Sequence, residues 1–111
     1  MQFFDHHWTD SRFGQVVHSL VGIPVAKLEA PPSFYLKRQA HATSMWDPVA
    51  IQNRHITGTD CLLWGNDYPH REGLFPFSQE WIDKQFAGVP QAEVEAMTHG
   101  NAAKLFNLVV T

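Results

Sequence analysis

The chain has 111 residues, enough for one small domain with a modest core. Its 44% hydrophobic and 17% charged residues exclude a disordered or collagenous chain. A formal net charge of -3 without any Lys/Arg run excludes a dedicated DNA or RNA binder.

Met1-Gln2-Phe3-Phe4-Asp5-His6 lacks a basic region followed by a long apolar stretch, so it does not read as a secretory signal. No uncharged apolar stretch approaches the roughly 20 residues that cross a bilayer, so no membrane partner is expected. From Phe13, the apolar residues Val16, Val17, Leu20 and Val21 recur at helical spacing, with Ser11 or Asp10 as N-cap and Gly22 and Pro24 as stops. The preceding Phe3 to Trp8 stretch is either an independent turn or part of that helix. Ala30-Pro31-Pro32-Ser33 breaks any helix. Beyond it the pattern predicts a helical turn at 33–36 and a short strand near 38–43. Asp47-Pro48 then opens a helix running through Val49, Ile51 and Arg54 to Gly58, with Asp47 as N-cap and Pro48 at the first helical position.

Cys61-Leu62-Leu63-Trp64, apolar on consecutive positions and ended by Gly65, predicts a strand buried on both faces, as in parallel sheets. Cys61 reads as a small buried hydrophobe rather than a nucleophile. As the one cysteine it cannot form an internal disulfide, so a reducing, cytoplasmic setting is expected. A loop rich in Pro and Gly follows. Ser78 is expected to cap a helix that carries Glu80 in its first turn, buries Trp81, Ile82 and Phe86, and ends at Gly88. Pro90 opens another, with Glu93 and Glu95 near its positive end and Val94 and Met97 inward. Gly100 should stop it, and Asn101 should cap a last helix from 102 to 107 presenting Leu105 and Phe106. The two strands should pair in parallel, joined by the helix after Asp47 as a right-handed crossover.

Alternation of helix and strand is the pattern of an α/β protein with a parallel sheet. Two strands do not make such a sheet, and a (β/α)8 barrel takes about 250 residues. Four Trp and eight Phe add more large apolar surface than a lone small domain readily hides. The expected architecture is therefore the C-terminal portion of a (β/α)8 TIM barrel, its last two strands and flanking helices, with residues 1–111 as one incomplete barrel domain.

Gly65-Asn66-Asp67 falls immediately after the buried strand, at the end where barrel enzymes keep their catalytic groups. A carboxylate there can bind a divalent cation or take the proton of metal-bound water, whose pKa the metal lowers to about 7. Asp67 can equally be a turn residue, because Asn-Asp pairs favour turns. His70, three residues on, is placed to contact substrate or transfer a proton, against the ordinary role of an exposed loop histidine. Ser44, Met45 and Trp46 follow the other strand; Trp46 is a candidate apolar wall for substrate, with core packing as its alternative. His41 and His99 read as structural, and Trp64, Trp81 and Phe86 as packing.

The run Leu63-Trp64-Gly65-Asn66-Asp67-Tyr68-Pro69-His70, with Glu72-Gly73 and Pro76, resembles the C-terminal signature of the amidohydrolase-related family. Pro32-Ser33-Phe34-Tyr35, Arg38-Gln39, Asp47-Pro48, His99-Gly100-Asn101-Ala102-Ala103 and Leu105-Phe106 extend the resemblance from Pro32 to Leu108. It implies a metal-dependent TIM-barrel hydrolase in which Asp67 is the metal-side carboxylate. The implied cofactor is a divalent metal, zinc first and manganese as the alternative. The family's other ligands, a His-x-His or Glu-x-His pair and further strand-end histidines, have no counterpart here, since His6-His7 are adjacent and precede a helix. The fragment alone is expected to be inactive.

The expected parent reaction is hydrolysis of an amide- or ester-like bond of a small-molecule substrate. Non-oxidative decarboxylation on the same scaffold is the alternative, and a homo-oligomer is admitted. A second class, a non-catalytic remnant or interaction module, is distinguished by whether the chain hides its apolar faces by itself.

Overall fold

The computed structural model describes Asp5, His6, Trp8 and residues 28–109. The helix expected from Phe13 to Val21 lies outside the described residues. The chain divides into two compact units, Met1–Ala40 and His41–Thr111. Among the described residues no helix is long and apolar enough to cross a membrane.

In the first unit Asp5, His6 and Trp8 are helical. Helix α1, Pro32–Gln39, begins with proline at its first position, where a missing N–H costs nothing. The preceding Pro31 has no side chain with which to cap it. Asp5 does so from a distance, its carboxylate accepting from Ser33 N at 2.8 Å. The Ser33 hydroxyl and amide hold the Asp5 carboxyl below its usual range, and Lys37 adds to the effect. This contribution is present above the ordinary carboxylate range and is lost as pH falls through the lowered value.

The sequence pattern predicts only one turn here and a strand from about residue 38, whereas α1 runs to Gln39 and the strand starts at Ala42. No residue of α1 is buried, so no apolar stripe marks it. Surface pairs support it instead: the Arg38 guanidinium lies 5.4 Å from the rings of both Phe34 and Tyr35. Lys37 and Arg38 face the negative end of the helix.

The second unit is built on strands β1, Ala42–Ser44, and β2, Leu62–Trp64. They pair in parallel, with Ala42 opposite Leu62, Thr43 opposite Leu63 and Ser44 opposite Trp64, so the expected parallel sense holds. Cys61 is not in the strand but closes a 3-10 turn, Thr59–Cys61. Its thiol is half-buried and donates to Gly58 O at 3.1 Å. The turn is what lets the chain reverse after Gly58, whose φ of +99° suits glycine. Nor is β2 buried on both faces: Leu62 is buried and Leu63 and Trp64 are half-buried.

Two short helices join the strands, α2, Pro48–Gln52, and α3, Arg54–Thr57. The sequence pattern predicts one helix, but it breaks at Asn53. There Arg54 turns back, donating from its guanidinium to Ile51 O at 2.9 Å while pairing with Glu93. Asp47 caps α2 as expected, accepting from Ala50 N at 2.9 Å. In a capping box the third helical residue would accept from the cap's own N–H, but that residue is Ala50. Gln85 supplies the acceptor instead, its Oε1 taking Asp47 N at 2.6 Å.

After the loop come α4, Ser78–Gln85, and α5, Gln91–Glu95. Phe77, not Ser78, occupies the capping position of α4, and it makes no side-chain cap. Gly100 does not stop the next segment. A π-helical turn, Ala96–Gly100, continues into α6, Asn101–Leu105. Thr98 Oγ1 donates to Val94 O at 2.8 Å within it. Met97 is thereby buried to 1% exposure beside Ile51, Leu62 and Phe86, the core of the unit. Asn101 is not a cap. Its amide donates to Thr59 O and Leu62 O, both at 2.8 Å, fastening α6 to the start of β2.

Asn101→Ala should therefore destabilise the chain by about 1–3 kcal/mol, because it leaves a turn carbonyl and a strand-end carbonyl, those of Thr59 and Leu62, without their donor. Chemical denaturation of the two chains under identical conditions checks this, and equal midpoints would contradict it.

Candidate functional site

The site grows from the carboxyl end of β2. Gly65 N extends the ladder by donating to Ser44 O at 3.1 Å. A Cβ at Gly65 would meet Thr43 Cγ2 at 3.3 Å. The chain therefore leaves the sheet close against β1 before it turns.

Asn66 then organises the turn with three of its groups. Its Oδ1 accepts from Tyr68 N at 3.1 Å, its Nδ2 donates to Ser78 Oγ at 3.2 Å, and its carbonyl accepts from Leu74 N at 2.9 Å. The first of these closes an Asx turn and the others tie the loop to its return path and to the first residue of α4. Inside this frame His70 N donates to Asp67 O at 2.8 Å and Gly73 N to His70 O at 3.0 Å. The carbonyls converge on Gly73, where a Cβ would lie 2.7 Å from Asn66 O and 3.0 Å from both Asp67 O and His70 O. Only a residue without a side chain fits that point.

Asp67 takes a φ of +58°, a left-handed conformation that is uncommon for a residue bearing a Cβ. Its Oδ2 lies 3.0 Å from His70 Nδ1, with the side chains 42% and 76% exposed respectively. When Nδ1 carries the ring proton it donates to the carboxylate, and Nε2 is left with a free lone pair. The structure thus brings together Asp67 and His70, two of the three candidate residues. Trp46 goes elsewhere: its ring meets Trp81 edge-on at 5.1 Å. The loop after β1 is also held by Trp64 Nε1, which donates to Met45 O at 2.9 Å.

Asn66, Gly73, Gln85 and Asn101 were not singled out by the sequence reading as site-building residues. Gln85 had a signal, because it shares the spacing of Trp81, Ile82 and Phe86 and is a polar residue in an apolar stripe. Gly73 is marked only by its place in a loop and in the run that carries the family resemblance.

Among the described residues no three His, Cys, Asp or Glu side chains gather as a metal site. Asp67 and His70 alone fall short of the three protein ligands that catalytic zinc takes.

A parallel strand pair joined through helices, with a carboxylate and an imidazole paired just past a strand's carboxyl end, is compatible with part of an α/β barrel. The Amidohydrolase family model matches residues 10–108, and the chain belongs to that family. The family is one of metal-dependent hydrolases and related decarboxylases on TIM barrels, and it generally uses divalent metals. Comparison with curated proteins gave no match.

Gly73→Ala should displace the loop, since the methyl would meet backbone oxygen rather than a movable side chain, at a cost of about 1–3 kcal/mol. Backbone amide shifts at residues 66–74 should change while those of α5 stay put. Unchanged loop shifts would contradict the packing described.

Proposed function

We propose that this chain is the C-terminal portion of a (β/α)8-barrel hydrolase, with β1 and β2 as its last two strands and residues 1–111 within that one domain. The observation that carries the reading is Asp67, which lies three residues past the end of a parallel strand, has a left-handed backbone and is paired with His70 at 3.0 Å. Uncommon backbone conformations of this kind cluster at active sites. The apolar surface supports the reading too. Val49, Tyr68, Phe75, Phe77 and Phe106 are each more than half exposed, as faces awaiting further barrel elements would be.

A divalent metal, zinc by preference, would supply Lewis acidity to such a site when bound. Asp67 would be its carboxylate donor from this loop, and the remaining ligands would come from outside the described residues. The chain's own chemistry is that of the pair. The Asp67 carboxylate can hold positive charge or accept a proton, and it orients the His70 ring so that Nε2 points a lone pair away from it. A small-molecule substrate with an amide- or ester-like bond would meet this pair over the barrel mouth, with His70 in contact with it. Trp46, edge-on to Trp81, would line the neighbouring loop.

In the complete enzyme Asp67→Asn should lower turnover by about 10²–10⁴-fold while leaving the fold intact, because asparagine keeps the shape but neither the charge nor the proton affinity. Metal content measured alongside separates the two roles: it falls with the rate if the carboxylate is a ligand and stays if it is a proton acceptor. Unchanged rate and unchanged metal would reduce Asp67 to a turn residue and end the proposal.

A further inference from the structure

Gln85 is 7% exposed, the one buried polar residue among those described. Its Oε1 is committed to Asp47 N at 2.6 Å, which fixes which end of the amide is oxygen. The other end, Nε2, is a buried donor with no acceptor among the described residues. Such a group is costly to leave unpaired, and buried polar atoms in native proteins find a partner in protein or in ordered water.

The Gln85 side chain lines a cavity on the inner face of the strand pair, between Ser44 and Trp64 at the strand ends and Ala50, Ile51, Phe86 and Met97 on the helical side. The room it leaves for the centre of a water molecule is about 10 Å³, near the minimum for one water. No charged side chain lines it, so an ion there would have no counter-charge. An apolar guest would leave Nε2 unpaired. Ser44 is the other polar side chain on the wall, and a water needs two to four polar partners.

We infer that this cavity is a binding site for a single ordered water molecule, which accepts a hydrogen bond from Gln85 Nε2 and donates one to the Ser44 hydroxyl. The water completes the Gln85 amide. One end of that amide holds the N-cap of α2 and the other, through the water, holds the end of β1. The loop between β1 and α2 is thereby braced at both of its ends by one side chain of α4.

The test is magnetisation transfer from water to the Gln85 side-chain amide in the full chain. The expected result is a cross-peak whose laboratory-frame and rotating-frame effects have opposite signs, as a long-lived water gives. In Ser44→Val, which fills the cavity with methyl groups and removes the hydroxyl while keeping the amide, that cross-peak should be lost. No such cross-peak in the native chain, or one that survives unchanged in Ser44→Val, overturns the inference. A crystal structure in which Nε2 donates to a protein oxygen beside a dry cavity overturns it as well, whether or not the variant folds.

Discussion

Parallel pairing of β1 with β2 is the constraint from which the rest of the second unit follows. Two strands that run the same way cannot be closed by a hairpin, so the chain must travel the length of the sheet and return before β2 can begin. That return is α2, α3 and the 3-10 turn, and both strands consequently deliver their following loops to one end. Met45, Trp46 and Asp47 arrive there from β1, and Gly65, Asn66 and Asp67 from β2. The pairing is short, three residues on each strand, and the ladder alone would hold it poorly. Side-chain amides fasten it at both ends: Asn101 grips the start of β2, and Gln85 grips the residue that opens α2.

The loop that carries the site is held in a different way. It is built almost wholly from backbone hydrogen bonds and one asparagine, with little apolar burial of its own. Such a loop is specified by geometry rather than by a core. That is why a glycine at its crossing point matters more than the exposed aromatic residues beside it, although Tyr68 and Phe75 do pack edge-on at 4.8 Å.

Much of this was legible in the residues before the coordinates. Asp47-Pro48 announces a helix start because an N-cap and a first-position proline are local chemistry; the apolar run Cys61 to Trp64 announces a parallel strand, though Cys61 falls outside it and only Leu62 is buried. The position of Asp67 followed from that strand. What was illegible depended on contacts distant in sequence. Asn101 follows a glycine, as a cap would, but its amide is claimed by Leu62 of β2 and by Thr59 of the turn before it, 39 and 42 residues away. Gly100 looked like a stop, yet a π turn carries the helix through it so that Met97 can be buried. Ser78 looked like a cap, but its hydroxyl is taken by Asn66. Helix α1 extends beyond the one turn its pattern predicts, and no buried face marks its length. The Asp67–His70 pair lay between: the spacing brought the two residues into reach, but only the turn that Asn66 makes aims them at one another.

The positive φ of Asp67 sets what different kinds of selection would do at this position. Glycine adopts that conformation without steric cost and asparagine with little, so thermal tolerance taken alone favours replacing the aspartate. A library sorted for survival on heating would enrich glycine or asparagine at position 67, and one sorted for turnover would keep the carboxylate. The residue found there in any descendant of this sequence would record which of the two pressures had acted on it.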